Sequence, residues 1–182
     1  MKKKCRICYN KLISILNFKK VALSGDFLKK NKIKNQKRYP LSIGVCKKCK
    51  HVQIQNIVNP KKLFNFYEWE TGVSRSNINL ISDLLKNLSK NFYLNKKSKV
   101  FEIASNDGSL LKEVKNKYKS FVLGIDPAKN LLKVSKKNQI KTIVDFFSYE
   151  KSKKIKNEFG FFDFCIARNV IAHTPNPNDI FK

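Results

Sequence analysis

Val100-Phe-Glu-Ile-Ala-Ser-Asn-Asp-Gly108-Ser-Leu-Leu111, followed by Gly124-Ile-Asp126-Pro127, is the stretch that decides the fold of this chain. An apolar run from Lys99 to Ala104 gives way to small, turn-forming residues, after which Leu110, Leu111 and Val114 recur at helical spacing. Strand, tight loop and helix therefore follow in order. A second apolar run, Phe121 to Ile125, stops at an acid 18 positions after Gly108. Backbone N–H groups at a helix start face an anionic or polar ligand, and a carboxylate at the end of the next strand is placed for ribose hydroxyls.

This is the first half of a Rossmann-type unit, with an altered loop. When Glu102 takes the acidic first position of the methyltransferase pattern E/D-x-G-x-G-x-G, Ala104 and Asn106 stand where the first two glycines would be, and Gly108 remains. A dinucleotide pyrophosphate needs those glycines for close backbone approach. The smaller aminocarboxypropyl arm of S-adenosylmethionine (SAM) tolerates Ala104 and Ser105, and Asn106-Asp107-Gly108 still supplies residues that accept left-handed backbone angles. The competing reading is an ordinary surface turn of another α/β protein.

The alternation continues downstream. A helix is expected around Ala128 to Lys137, a strand over Ile140 to Val144, a short polar helix near Tyr149 to Asn157 and a strand over Phe161 to Ala167. Two readings compete at Asp145: acceptor for the adenine amino group, with Phe146 or Phe147 beside the ring, or N-cap of the following helix. The last strand runs into Arg168-Asn169-Val170-Ile171-Ala172-His173, at the carboxyl ends where such sheets bind ligands. His173 there reads either as a base or hydroxyl-orienting group, or as a structural loop histidine. Cys165, inside an apolar run, is expected as a buried small hydrophobe.

Upstream, Cys5-Arg-Ile-Cys8 and Cys46-Lys-Lys-Cys49 form two C-x-x-C knuckles separated by the 37 residues from 9 to 45. Four thiolates at this spacing suit a closed, structural Zn²⁺ site, and the metal supplies folding energy to a module with few apolar anchors. His51, two positions after Cys49, reads as a surface residue in preference to a substitute ligand. Asn59-Pro60 marks a helix start, and Leu63, Phe64, Tyr67 and Trp69 are expected in a core. A second helix from about Ser74 carries Ile78, Ile81, Leu84, Leu85, Leu88 and Phe92 on one stripe, facing the sheet. The expected domains are 1–58 (zinc-binding), 59–96 (helical linker) and 97–182 (the SAM-binding sheet).

The chain has 39 Lys and Arg against 13 Asp and Glu, a net charge of +26. That charge attracts nucleic acid or phosphate-bearing ligands. The lysines are nevertheless spread over all segments, the runs Lys2 to Lys4 and Lys151 to Lys154 are short, and no aromatic platform interleaves them. Nucleic acid is therefore not the expected partner, and an anionic nucleotide sugar fits the basic surface. No segment reaches the ~20 apolar residues of a membrane span, and the Lys-rich start lacks the apolar core of a signal peptide, so a cytoplasmic protein with reduced cysteines is expected.

Taken together, the C-x-x-C pairs, Tyr67-x-Trp-x-Thr-Gly-Val-Ser74, Glu102-Ile-Ala-Ser-Asn-Asp-Gly108, Gly124-Ile-Asp-Pro-Ala128, Thr142-Ile-Val-Asp-Phe-Phe147 and Asn169-Val-Ile-Ala-His173 closely resemble the SAM-dependent C-methyltransferases of deoxysugar biosynthesis. Six segments occur in that family's order. The resemblance implies an N-terminal zinc-binding domain, a class I methyltransferase domain and methyl transfer to a carbon of a nucleotide-linked keto-deoxysugar. It implies that Cys5, Cys8, Cys46 and Cys49 hold zinc. Glu102 to Gly108 and Asp126 then hold SAM, Pro127, Asp145, Phe146 and Asn169 fall within the same cofactor motifs, and Tyr67 and His173 face the sugar. Members of the family are longer, continuing to a His/Glu/Tyr-containing segment with the general base and to a C-terminal domain. This chain, which closes on Asn176-Pro-Asn-Asp-Ile-Phe-Lys182, reads as a fragment or interrupted reading frame with about four of seven parallel strands and without that base. Two other readings explain part of the pattern: a zinc-ribbon nucleic-acid-binding protein, and a hydroxyl- or amine-directed methyltransferase.

Overall fold

The computed structural model describes residues 4–25 and 27–182. Met1, Lys2 and Lys3, which open the expected first module and its basic run, lie outside the described residues. The chain forms two compact units, one comprising the chain up to Asn59 together with Pro175–Asn178, the other Pro60–Thr174 with Asp179–Lys182.

The first unit is a three-stranded antiparallel sheet of β1 (Leu12–Ala22), β2 (Arg38–Cys46) and β3 (Val52–Ile54), in the order β1-β2-β3. The stretch between the two knuckles is thus a long hairpin with Leu12 opposite Cys46 and Ala22 opposite Arg38. Two register shifts interrupt it, one between Ser14 and Leu16, the other between Asn17 and Lys20. At the second, Lys19 takes a positive φ of 60° while its N–H donates to Asn17 Oδ1 at 2.9 Å. The buried centre of this unit is small: Cys5, Cys46 and Leu12, with Cys8 packed against them. Most of β1 is exposed, including Ile15, Leu16 and Phe18. A sheet burying this little apolar surface needs another source of folding energy, and metal ligation is the available one.

The second unit is built on β4 (Lys99–Ile103), β5 (Phe121–Ile125), β6 (Thr142–Ile143) and β7 (Phe164–Ala167), all parallel, in the order β6-β5-β4-β7. Helices α1 (Pro60–Phe64), α2 (Arg75–Phe92), α3 (Ser109–Tyr118), α4 (Leu132–Lys137) and α5 (Tyr149–Phe159) complete it. The period-2 alternation of the strands feeds two faces. Val100 and Val122 pack with Ile81, Leu85, Leu110, Leu111 and Val114. Phe101, Ile103, Leu123 and Ile125 pack on the other face with Ile155. This is the Rossmann-like α/β architecture expected from the sequence, with β4 central and its carboxyl end at the Glu102-to-Gly108 loop.

Four local expectations are corrected. The helix expected from Ala128 starts at Leu132, because Asp126 Oδ1 accepts the Ala128 N–H at 2.8 Å and holds the chain in a turn. The strand expected over Ile140 to Val144 is only Thr142–Ile143, since the Ile140 N–H goes to the Ser135 carbonyl and its side chain joins the core. The last strand begins at Phe164, after Asp163 turns its carboxylate to the Lys99 N–H at 2.7 Å. Phe92 and Cys165 are exposed: Phe92 lies at the end of α2, and β7 is an edge strand. Pro177–Asp179 forms a single 3-10 turn. Among the described residues no helix is long and apolar enough to cross a membrane.

Candidate functional site

The two cysteine knuckles repeat one backbone pattern. The Cys5 N–H donates to the Asn10 carbonyl and the Tyr9 N–H to the Cys5 carbonyl; likewise the Cys46 N–H donates to His51 and the Lys50 N–H to Cys46. In each knuckle the residue after the second cysteine is left-handed, Tyr9 at φ 59° and Lys50 at φ 62°. This turn aims both thiols of a pair inward. All four Sγ atoms lie within 4.8 Å of one another, with Cys8–Cys46 and Cys8–Cys49 at 3.4 Å and Cys5–Cys49 at 3.6 Å. A tetrahedron with Zn–S bonds of about 2.3 Å has edges of about 3.8 Å, so the donor set and its spacing fit zinc. His51 enters the knuckle through its backbone carbonyl, and the four thiols complete the set without its ring. The Asn10 backbone N–H, followed by the neighbouring thiols, lowers the Cys8 thiol to about 6.

At the carboxyl end of β4, Ala104 (φ 56°), Asn106 (φ 53°) and Gly108 (φ 77°) are all left-handed. The backbone thus makes the turn of a three-glycine loop with one glycine. Each left-handed non-glycine residue costs on the order of 1 kcal/mol, least for Asn. Hydrogen bonds offset the cost: Ser105 N–H to the Ile125 carbonyl at 3.1 Å, and Asn106 N–H to Asp126 Oδ2 at 2.8 Å. Gly108 is required twice, for its φ and because a Cβ would stand 3.1 Å from the Ile140 side chain. Asp107, buried, accepts from the Ser109 N–H at 3.0 Å and so orients the start of α3. Asp126 is also buried, which raises its carboxyl pKa against the two backbone N–H donors that lower it. Pro127 follows it in the turn that leads to α4.

Glu102, beneath this loop, is 1% exposed. Its Oε1 accepts from the Arg168 guanidinium at 3.1 and 3.3 Å, while its Oε2 is buried without a hydrogen-bond partner among the described residues. Burial pushes its carboxyl up to about 8 in spite of Arg168. Nothing in the sequence marked Arg168 as the partner, since 66 positions separate the two.

Of the segment expected in the core, Leu63 and Phe64 are half-buried, while Tyr67 and Trp69 lie at the surface with 39% and 52% exposure, as does their neighbour Phe66. The segment's backbone is held down along the loops after β4 and β5. Asn106 accepts from the Thr71 N–H and donates to the Trp69 carbonyl, both at 2.9 Å; Asp107 Oδ2 accepts from the Gly72 N–H at 2.7 Å. Because those loops occupy the contact side, the rings remain outside. Phe64 brings the two expected acceptor-side residues together, its ring centre 6.1 Å from Tyr67 and 6.2 Å from His173.

The remaining candidates are more dispersed. Asp145 is not the N-cap of α5; Ser148 takes that place, accepting from the Lys151 N–H at 3.2 Å. The Asp145 carboxylate pairs with the Lys151 ammonium, which holds its pKa down, and accepts from the Phe146 N–H. Phe147 turns to the sheet and packs 5.7 Å from Phe101, leaving Phe146 as the half-buried ring next to Asp145. Asn169 is exposed and left-handed at φ 51°, one residue after Arg168.

Comparison with known proteins matches this geometry. Residues 5–64 match a zinc binding domain family and residues 101–182 a methyltransferase domain family. Two domain families thus match in series, a zinc binding domain followed by a methyltransferase domain. It is also similar to C-methyltransferase NovU of Streptomyces niveus, 25% identical over 180 residues, covering 98% of this chain and 43% of that protein. The chain thus spans less than half the length of the curated relative it matches. The methyltransferase domain implies SAM as cofactor, and the left-handed loop beside a buried carboxylate at the ends of adjacent strands is compatible with it.

Within the second unit, the residues to which the sequence assigns no role of their own are Arg168, Asn130 and Gly72. Asn130 accepts the Tyr67 N–H at 3.0 Å and donates to the Tyr67 carbonyl at 2.8 Å. A lone Asn in a Lys-rich stretch carries no periodic signal, and its partner is 63 positions away. Gly72 was legible only as part of Thr71-Gly72. Its reason is spatial, because a Cβ there would come 2.5 Å from Ser109 Oγ.

Proposed function

We propose that this chain binds SAM at the carboxyl ends of β4 and β5 and serves methyl transfer to a carbon of a nucleotide-linked keto-deoxysugar. The observation that carries this reading is the joined loop and acid: three left-handed residues from Ala104 to Gly108, tied to Asp126 by the Asn106 N–H. Asp126 keeps lone pairs free for ribose hydroxyls, Asp145 and Phe146 would border the adenine, and Pro127 and Asn169 would line the same cleft. The Glu102 oxygen without a partner would receive a cationic donor near the loop. When bound, SAM supplies an electrophilic methyl group.

The chain's own contribution is to hold the acceptor. Tyr67 and His173, bridged by Phe64, would face the sugar, with an exposed imidazole available to take a proton or orient a hydroxyl. The sugar acceptor is supported by the six-segment resemblance, and transfer to carbon by the likeness to a C-methyltransferase. A surface of net charge +26 would favour a nucleotide diphosphate, and four reduced thiols on zinc suit the cytoplasm.

The test has two stages. Calorimetric titration with S-adenosylhomocysteine should give saturable binding that Asp126→Ala weakens at least about tenfold. Incubation with methyl-labelled SAM and a nucleotide-linked ketosugar, followed by NMR, should place the label on carbon. Label on oxygen or nitrogen would overturn the sugar C-methyl assignment while leaving the SAM site standing.

A further inference from the structure

The segment from Asn65 to Gly72 belongs to no strand, yet its backbone polar groups are paired almost as if it did. The Asn130 amide satisfies both backbone groups of Tyr67, donor and acceptor, as a neighbouring strand would. The Asn106 amide repeats this at Trp69 and Thr71. Asp107 takes the Gly72 N–H, and the Lys129 N–H reaches the Asn65 carbonyl at 3.0 Å. The segment is therefore a strap, docked by side chains of the loops after β4 and β5. Gly72 lets it come close, where a Cβ would overlap Ser109.

Asn106 has a second role in this arrangement. Its backbone N–H donates to Asp126 while its side chain holds the strap. A ligand that engages Asp126 thus meets a residue whose neighbour in the hydrogen-bond chain anchors the strap carrying Tyr67 and Trp69. We propose that Asn130 and Asn106 are positioning residues that dock the Tyr67–Trp69 strap over the loops, so that strap docking and occupation of the Asp126 site favour each other. The inference rests on the cofactor reading above only for its second half. The docking itself is independent of any ligand.

By reciprocity, a ligand that favours the docked strap must bind more weakly when docking is impaired. Trp69 is the chain's single tryptophan, so its fluorescence reports the strap alone. The experiment measures acrylamide quenching of Trp69 in the wild-type chain and in Asn130→Ala, each with and without S-adenosylhomocysteine. Removing two hydrogen bonds from Tyr67 should raise quenching about twofold in the free variant, and the linked ligand affinity should fall about threefold. Saturating ligand should bring quenching of the variant back toward wild type.

Equal quenching in the free wild-type chain and variant would overturn the docking role. Quenching raised as expected, with ligand affinity and the ligand effect unchanged, would overturn the coupling. If S-adenosylhomocysteine binds neither protein, the SAM reading and the coupling fail together, while the ligand-free comparison still decides the docking. Should Asn130→Ala not fold by circular dichroism, Asn130→Asp keeps the acceptor for Tyr67 N–H but loses the donor. It then carries the same comparison with a smaller rise, overturned by no rise.

Discussion

The Asn106 N–H donates to Asp126 Oδ2 at 2.8 Å, tying the loop after β4 to the end of β5. This single bond fixes a left-handed asparagine in a loop where the sequence pattern leads one to look for glycine. It also places a buried carboxylate at the centre of the proposed cofactor site.

Asp126→Ala should therefore do two things. It leaves the Asn106 and Ala128 N–H groups without their acceptor, at a cost of about 1–3 kcal/mol in stability. It should also weaken S-adenosylhomocysteine at least about tenfold, from the lost ribose contacts. Calorimetry on a variant shown to be folded checks this; unchanged affinity would remove Asp126 from the site.

Glu102 predicts a pH dependence. Its carboxyl sits near 4.5 in the unfolded chain and is pushed up to about 8 by burial in the fold. Between those values the folded state keeps a proton that the unfolded chain has released, so stability falls as pH rises from about 4.5 to 8. The full effect is on the order of 5 kcal/mol, equivalent to roughly 10–20 °C in Tm. Glu102→Gln should flatten the Tm-versus-pH curve over this window relative to wild type. Parallel curves for the two proteins would show that Glu102 ionises normally in the fold.

Zinc should be stoichiometric and held by all four thiols. Cys46→Ser removes one donor and should lower bound metal from about one equivalent to a small fraction of it in elemental analysis. The hairpin of β1 and β2 should lose amide protection in hydrogen exchange at the same time, since its buried centre is the cysteine cluster. Intact metal content in the variant would exclude Cys46 as a ligand.

Gly72 offers a steric test. Its Cβ would overlap Ser109 Oγ and approach Asp107 Oδ2 at 3.1 Å. Gly72→Ala should cost about 1–3 kcal/mol in a denaturant titration, the usual range for a forced fit. A loss of only a few tenths would mean that the strap yields easily there.

Much of this was legible in one dimension because the signals are local. The two C-x-x-C pairs fix four ligands by covalent spacing. The run from Val100 to Gly108 announces strand, loop and helix within a dozen residues, and the stripe from Ile78 to Leu88 announces the helix that covers the sheet. The short β6 was overestimated because Ile140 is apolar for core packing and has no ladder partner. Tyr67 and Trp69 lie outside the core expected for them because composition reports apolarity without saying whether a face is available to bury it.

Neighbours a few positions apart encode the α/β class, the two cysteine knuckles and the strand–loop–helix that opens at Val100. That Arg168 pairs with Glu102, that Asn130 holds Tyr67 and that Asn106 joins strap to acid follows from the folded arrangement alone. Those pairs are separated by 66, 63 and 20 positions, and folding brings them together through burial of the intervening strands and helices, which no local spacing records.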